Sequence, residues 1–139
     1  MSYKIAIFDA KPYDRVTFDK VNEDYGFDLV YHKEHLDINN VLLASNTDAV
    51  CIFVNAIADS AVIDKLADYG VKLIALRCAG FNNVDIVAAE KRGVKVVRVP
   101  DYSPHAIAEH TLALMLCLNR KVHRAFLRTR DSNFSLVGF

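Results

Sequence analysis

The sequence predicts a doubly wound α/β fold built on a parallel sheet, and three features carry that expectation. Short β-branched runs alternate with stretches of helical periodicity, Gly falls where helices should stop, and the strand-like runs are apolar on both faces, as strands buried in a parallel sheet require. The chain has 139 residues with 53% hydrophobic content, which suits one compact unit able to bury a core without disulfides or a structural metal.

In chain order, strands are expected at 3–8, 27–31, 49–54, 71–76 and 94–99. Helices are expected between them at 12–25, 38–45, 59–69 and 84–92, with Gly26, Gly70 and Gly93 just past helix ends, where a left-handed backbone is needed. Four helices joining five strands by right-handed crossovers give a flavodoxin-like sheet of order 2-1-3-4-5, with ligands expected at the strands' carboxyl ends. After the fifth strand, Ser103 reads as an N-cap and Pro104 as a first helical residue, opening one long helix over 104–129. Its stretch from Thr111 to Leu118 is apolar around the whole circumference, so one sheet face cannot cover it. Leaving three such large aliphatic side chains in water forfeits roughly 5–9 kcal/mol, a domain's whole stability. The expected division is therefore a domain over 1–103 and a segment over 104–139 whose helix is covered by something further, with self-pairing through 104–129 one solution.

Charge and cysteine usage exclude several classes. Seventeen Lys and Arg balance seventeen Asp and Glu, so the chain lacks the field that draws proteins to nucleic acid or anionic lipid. Cys51, Cys78 and Cys117 are odd in number and show no CxxC spacing, which argues against a disulfide framework or zinc knuckle and for a reducing cytoplasm. The apolar stretch after Met1 is broken by Asp9 and is too short for a secretory signal, and no apolar run reaches membrane-spanning length.

Two loops at the expected carboxyl edge could hold a ligand. Arg77 to Asp85 leads from the fourth strand into a helix, and small Ala79 and Gly80 let backbone N–H groups approach an anion such as a carboxylate. The same residues also read as a plain βα turn in which Asn82 or Asn83 caps the helix. The loop from Pro100 to Pro104 offers the Tyr102 hydroxyl, although turn and cap chemistry explain Pro-x-x-Ser-Pro equally well.

Other constellations are weaker. His105 and Glu109 share a helical face, but His110 points roughly 140° from His105, so no metal site is expected. The basic run Arg120, Lys121, Arg124, Arg128 and Arg130 suits the end of a helix better than a nucleic-acid stripe. A phosphoacceptor receiver would need an Asp ending strand three and a Lys ending strand five, and the chain has Phe53-Val54-Asn55 and Pro100-Asp101. Asp9-Ala10-Lys11-Pro12-Tyr13 is not the Ser, Thr and Gly-rich loop that a flavin phosphate needs.

The segments Leu76-Arg77-Cys78-Ala79-Gly80-Phe81-Asn82-Asn83-Val84-Asp85 and Val99-Pro100-Asp101-Tyr102-Ser103-Pro104-His105-Ala106-Ile107-Ala108-Glu109-His110 resemble the D-2-hydroxyacid dehydrogenases, most of all the fermentative NAD-dependent D-lactate dehydrogenases. Val50-Cys51-Ile52-Phe53-Val54-Asn55 and Thr129-Arg130-Asp131-Ser132-Asn133-Phe134-Ser135-Leu136 extend the likeness along the chain. The resemblance implies a cytoplasmic protein and reduction of pyruvate to D-lactate with NADH. Carried over by position, it implies that Cys78, Ala79 and Gly80 form the substrate-carboxylate loop, that Tyr102 lines the substrate cleft, and that the 104–129 helix crosses to a second domain. The chain departs from the family pattern at Gly138-Phe139, where the family's cofactor domain begins. No GxGxxG occurs in these residues, so NAD is not expected to bind them tightly. The family's catalytic Arg, Glu and His also belong to that later domain. His105, His110 and His123 do not occupy the catalytic position, so these 139 residues are expected to be catalytically incomplete. The alternative expectation is a non-catalytic interaction module that pairs through the long helix.

Overall fold

β-branched and apolar runs pair here as neighbouring parallel strands, each linked to the next by an α-helix or a 3-10 turn. The computed structural model describes residues 2–138. In order these form β1 (Lys4–Ile7), α1 (Pro12–Asn22), β2 (Asp28–Tyr31), a 3-10 turn (Val41–Ala44), β3 (Ala49–Ile52), α2 (Ser60–Asp68), β4 (Leu73–Leu76), α3 (Ile86–Lys91), β5 (Lys95–Arg98), α4 (Pro104–Asn119) and α5 (Val122–Arg130). The sheet is fully parallel in the expected order β2-β1-β3-β4-β5. Two compact units divide the chain, one ending at Pro100 and one beginning at Asp101.

Within the first unit the strands' period of two sorts side chains to two faces. Ala6, Phe8, Val50, Ile52, Ile74 and Leu76 meet Val62, Ile63 and Leu66 of α2, Ala89 of α3, and Leu36, Val41 and Ala44 from the β2–β3 connection in one core. The caps are local. Asp59 accepts from Val62 N at 3.0 Å and Asp85 accepts from Ala88 N at 2.9 Å, each satisfying an orphan donor of a helix start. Gly70 and Gly93 follow α2 and α3 at φ +90° and +68°, which side chains rarely adopt.

Several expected elements form differently. The 38–45 helix is only the 3-10 turn Val41–Ala44. Asp37 Oδ1 accepts from Asn39 N and Asn40 N, and Asn40 Oδ1 accepts from Asp37 N, so side chains take main-chain partners that a helix would need. The first helix stops at Asn22 rather than residue 25, because the Asn22 amide clamps Phe27 through both N and O at 2.9 and 2.8 Å. The fourth expected helix starts at Ile86, since Asp85 caps it while Asn83 is spent on the Phe53 and Ala56 carbonyls. The last strand is an edge with β4 as its one neighbour, and Val97 is 50% exposed, so its two faces are not both buried.

In the second unit, the single helix over 104–129 is two helices. Arg120 closes α4 through its N–H to Leu116 O at 2.9 Å, Lys121 adopts φ 50°, and α5 begins at Val122. The left-handed residue is a Lys, not the Gly that marks such breaks, so composition gives no warning. Ser103 also differs from its expected role: it has φ 50° and no side-chain cap bond, and the first turn closes from Ala106 N to Ser103 O at 3.1 Å. Arg128 and Arg130 fall in the last turn of α5, where cations suit the helix dipole. Among the described residues no helix is long and apolar enough to cross a membrane.

Candidate functional site

Beyond the carboxyl end of β4 the chain turns over Arg77 to Asp85, and its main-chain polarity is sorted. The Cys78 carbonyl accepts from Val99 N at 3.2 Å, the Ala79 carbonyl from Arg98 Nη1 at 2.9 Å, and the Gly80 carbonyl from Cys78 Sγ at 3.2 Å. The Phe81 carbonyl accepts from Val84 N at 3.1 Å. By contrast, the N–H groups of Ala79 and Gly80, like those of Phe81, Asn82 and Asn83, have no acceptor among the described residues; Ala79 is half-buried and Gly80 exposed. The carbonyls of this turn are taken up within the unit, while consecutive N–H groups stay open.

Both flanks of the loop are pinned by arginines. Arg77 donates through Nη2 to Phe8 O at 2.6 Å and to Asp9 O at 3.3 Å, pairs through Nη1 with Asp14 at 2.7 Å, and lies over the Phe53 ring at 5.3 Å. It thereby ties the end of β4 to the ends of β1 and β3. Arg98, at the end of β5, lies over the Phe81 ring at 5.3 Å and also donates to Pro100 O at 3.1 Å. Neither arginine's role follows from composition; the signal in the sequence is a guanidinium at or just past the carboxyl end of a strand. Asn83, expected as a helix cap, instead donates to Phe53 O at 3.2 Å and Ala56 O at 3.1 Å.

The surrounding electrostatics are balanced. Asp9 has φ 52° and lies 2.7 Å from Lys11 Nζ. The hydrogen bond from Lys11 outweighs burial and holds the Asp9 carboxyl below the usual carboxylate range, while the same contact raises Lys11. Burial pushes the Cys51 thiol up to about 11. Cys78 is 5% exposed, and its thiol is engaged with the Gly80 carbonyl.

Of the residues singled out from the sequence, Cys78, Ala79 and Gly80 are brought together as this one loop. Tyr102 belongs to the second unit, where its side chain is 62% exposed and its hydroxyl has no partner among the described residues. His105, Glu109 and His110 are exposed along α4. Among the described residues no three His, Cys, Asp or Glu side chains gather as a metal site requires. The five glycines lie at 26, 70, 80, 93 and 138, so no glycine-rich turn is present to seat a dinucleotide pyrophosphate on a helix N-terminus.

Comparison with known proteins places the fold. Residues 5–135 match the family model of the D-isomer specific 2-hydroxyacid dehydrogenase catalytic domain. A 2-hydroxyacid dehydrogenase homolog of Haemophilus influenzae is 54% identical over 135 residues, and the D-lactate dehydrogenase of Escherichia coli is 50% identical over 135 residues. Each alignment covers 97% of this chain and 41% of the relative, so the chain spans well under half the length of the curated proteins it matches. The apo structure of the Escherichia coli enzyme superposes with a TM-score of 0.82, covering 97% of this chain and 43% of that one. The D-lactate dehydrogenase of Lactobacillus jensenii, solved with NAD+, is 33% identical with a TM-score of 0.68, covering 97% of this chain and 41% of that one. With the matching fold and the family model running through nearly all of its residues, the chain belongs to the D-isomer specific 2-hydroxyacid dehydrogenases.

Proposed function

We propose that these residues are the substrate-binding part of an NAD-dependent D-lactate dehydrogenase, which reduces pyruvate to D-lactate with NADH in the cytoplasm. The observation that carries this reading is the pair of unpartnered N–H groups at Ala79 and Gly80, beyond the carboxyl end of β4. A carboxylate accepting both gains charge-assisted hydrogen bonds worth about 1.5–3 kcal/mol each. Cys78 supports the loop through the bond from its thiol to the Gly80 carbonyl. Hydride donation, the proton for the carbonyl oxygen and polarisation of that carbonyl have no source among these residues. The chain by itself is therefore half a site. Three free thiols, two of them buried, fit a reducing compartment.

The test is NADH oxidation with pyruvate by the purified 139-residue chain, alone and mixed with a separately expressed cofactor domain of the family. No turnover alone and stoichiometric turnover in the mixture is the expected result. Hydride transfer by the chain alone would refute it.

A second reading is favoured by α4. None of its residues is buried, and Leu112, Leu114, Met115, Leu116 and Leu118 are all more than half exposed. That surface suits a non-catalytic module that pairs with a second copy or with an intact dehydrogenase, and silence in both assays would favour it.

A further inference from the structure

We infer that Arg98 is a positioning residue for the carboxylate loop, aiming the Gly80 N–H by holding the carbonyl on the other side of the same peptide unit; this rests on the carboxylate reading above. A trans peptide is planar, with its C=O and N–H pointing in opposite directions. The unit that joins Ala79 to Gly80 presents its oxygen to Arg98 Nη1 at 2.9 Å, so its hydrogen is turned away from Arg98 and toward the free side of the loop. The same nitrogen reaches Pro100 O at 3.1 Å, and the guanidinium lies over Phe81 at 5.3 Å, which leaves the group little freedom to swing. A cation on the carbonyl also polarises the peptide and makes its N–H a stronger donor.

Nothing in the packing of β5 asks for this residue. Arg98 is exposed on an edge strand, contributes nothing to the core cluster and forms no ion pair among the described residues. Its Nη1 is given to carbonyls of the loop after β4 and of the β5 exit. Ala79, by contrast, has its N–H in the preceding peptide unit, whose carbonyl at Cys78 is held by Val99 N at 3.2 Å. The two donors are therefore set by different partners, and removing Arg98 should affect them unequally.

The experiment follows the Ala79 and Gly80 amide resonances of the 15N-labelled full chain during titration with pyruvate and with pyruvamide, which has the same shape and no carboxylate. In the wild-type chain both amides move with pyruvate and not with pyruvamide. In R98M the Gly80 response collapses and the Kd for pyruvate rises at least about tenfold, the scale of one lost charge-assisted hydrogen bond. The Ala79 response and the amides of β1 and β3 keep their wild-type pattern, and R98K recovers most of the Gly80 response. If R98M disturbs β1 or β3, R98L, which also lacks a donor, is read in the same way. Equal responses and equal affinity in wild-type, R98M and R98L chains would overturn the role of Arg98 while leaving the carboxylate loop standing. A wild-type chain whose two amides ignore pyruvate would overturn the carboxylate reading and the inference together.

Discussion

Gly80 has a φ outside the left-handed region, and a Cβ built on it would meet nothing within 4 Å. The fold therefore has no need of glycine at this position, and on the proposed function the residue leaves room for a ligand. Gly80→Ala should leave the thermal midpoint unchanged or raise stability by up to about 1 kcal/mol, because alanine loses less freedom on folding. Pyruvate binding to the Ala79 and Gly80 amides should nevertheless weaken; a G80A chain that loses stability and keeps its ligand response would reverse this account. Cys51 gives a pH dependence. Its thiol is raised to about 11 by burial, whereas an unfolded thiol ionises near about 8.5. A raised value means that the folded state holds its proton longer, so this stability is complete below the unfolded value and is lost as pH climbs toward the folded one. Urea unfolding should show the stability gap between wild type and Cys51→Ala narrowing by about 2 kcal/mol from pH 7 to pH 10. A gap that stays constant would mean the thiol is not shielded.

The elements that were legible in the sequence are those set by local, redundant signals. β3 and β4 are uninterrupted apolar runs, and α2 has an Asp cap before it and Gly70 behind it. The failures occur where a side chain competes for the backbone. Asp37 and Asn40 fold onto their own main chain and reduce an expected helix to one 3-10 turn, and Asn83 leaves its cap to bridge to Phe53 and Ala56. The carboxylate loop was readable as small residues after a strand, but its donor geometry was not, because it depends on Arg98 and Val99 from the next strand's end. Lys121 was invisible for another reason: a left-handed break at a lysine has no compositional mark. It costs about 1–2 kcal/mol relative to glycine. Lys121→Gly should therefore slow amide exchange through residues 122–130. In a continuous helix the same change would be destabilising by about 1 kcal/mol and would speed exchange, so the direction alone decides whether the helix is broken.

At the scale of the whole molecule, the first unit closes its core with its own elements and the second does not. α4 buries none of its residues, although its mid-section from Leu112 to Leu118 carries five large apolar side chains more than half exposed. Each such side chain is worth roughly 1.5–3 kcal/mol when covered, so a second copy that covers a few of them repays much of the entropy of association. Two-fold pairing is the simplest closed solution, since one helix stripe then meets its own image. Light scattering on the 139-residue chain should give a mass that rises from monomer toward dimer through the micromolar range. The double variant Leu114→Glu and Leu118→Glu should stay monomeric, with the amide spectrum of residues 4–98 unchanged. A cofactor domain that uses the same stripe must compete with self-pairing, so adding one should dissolve the homodimer into a mixed complex as turnover appears. A chain that stays monomeric at high micromolar concentration would remove self-pairing as the cover for α4. Dimers that survive the added domain intact would place the two contacts on different faces of the helix.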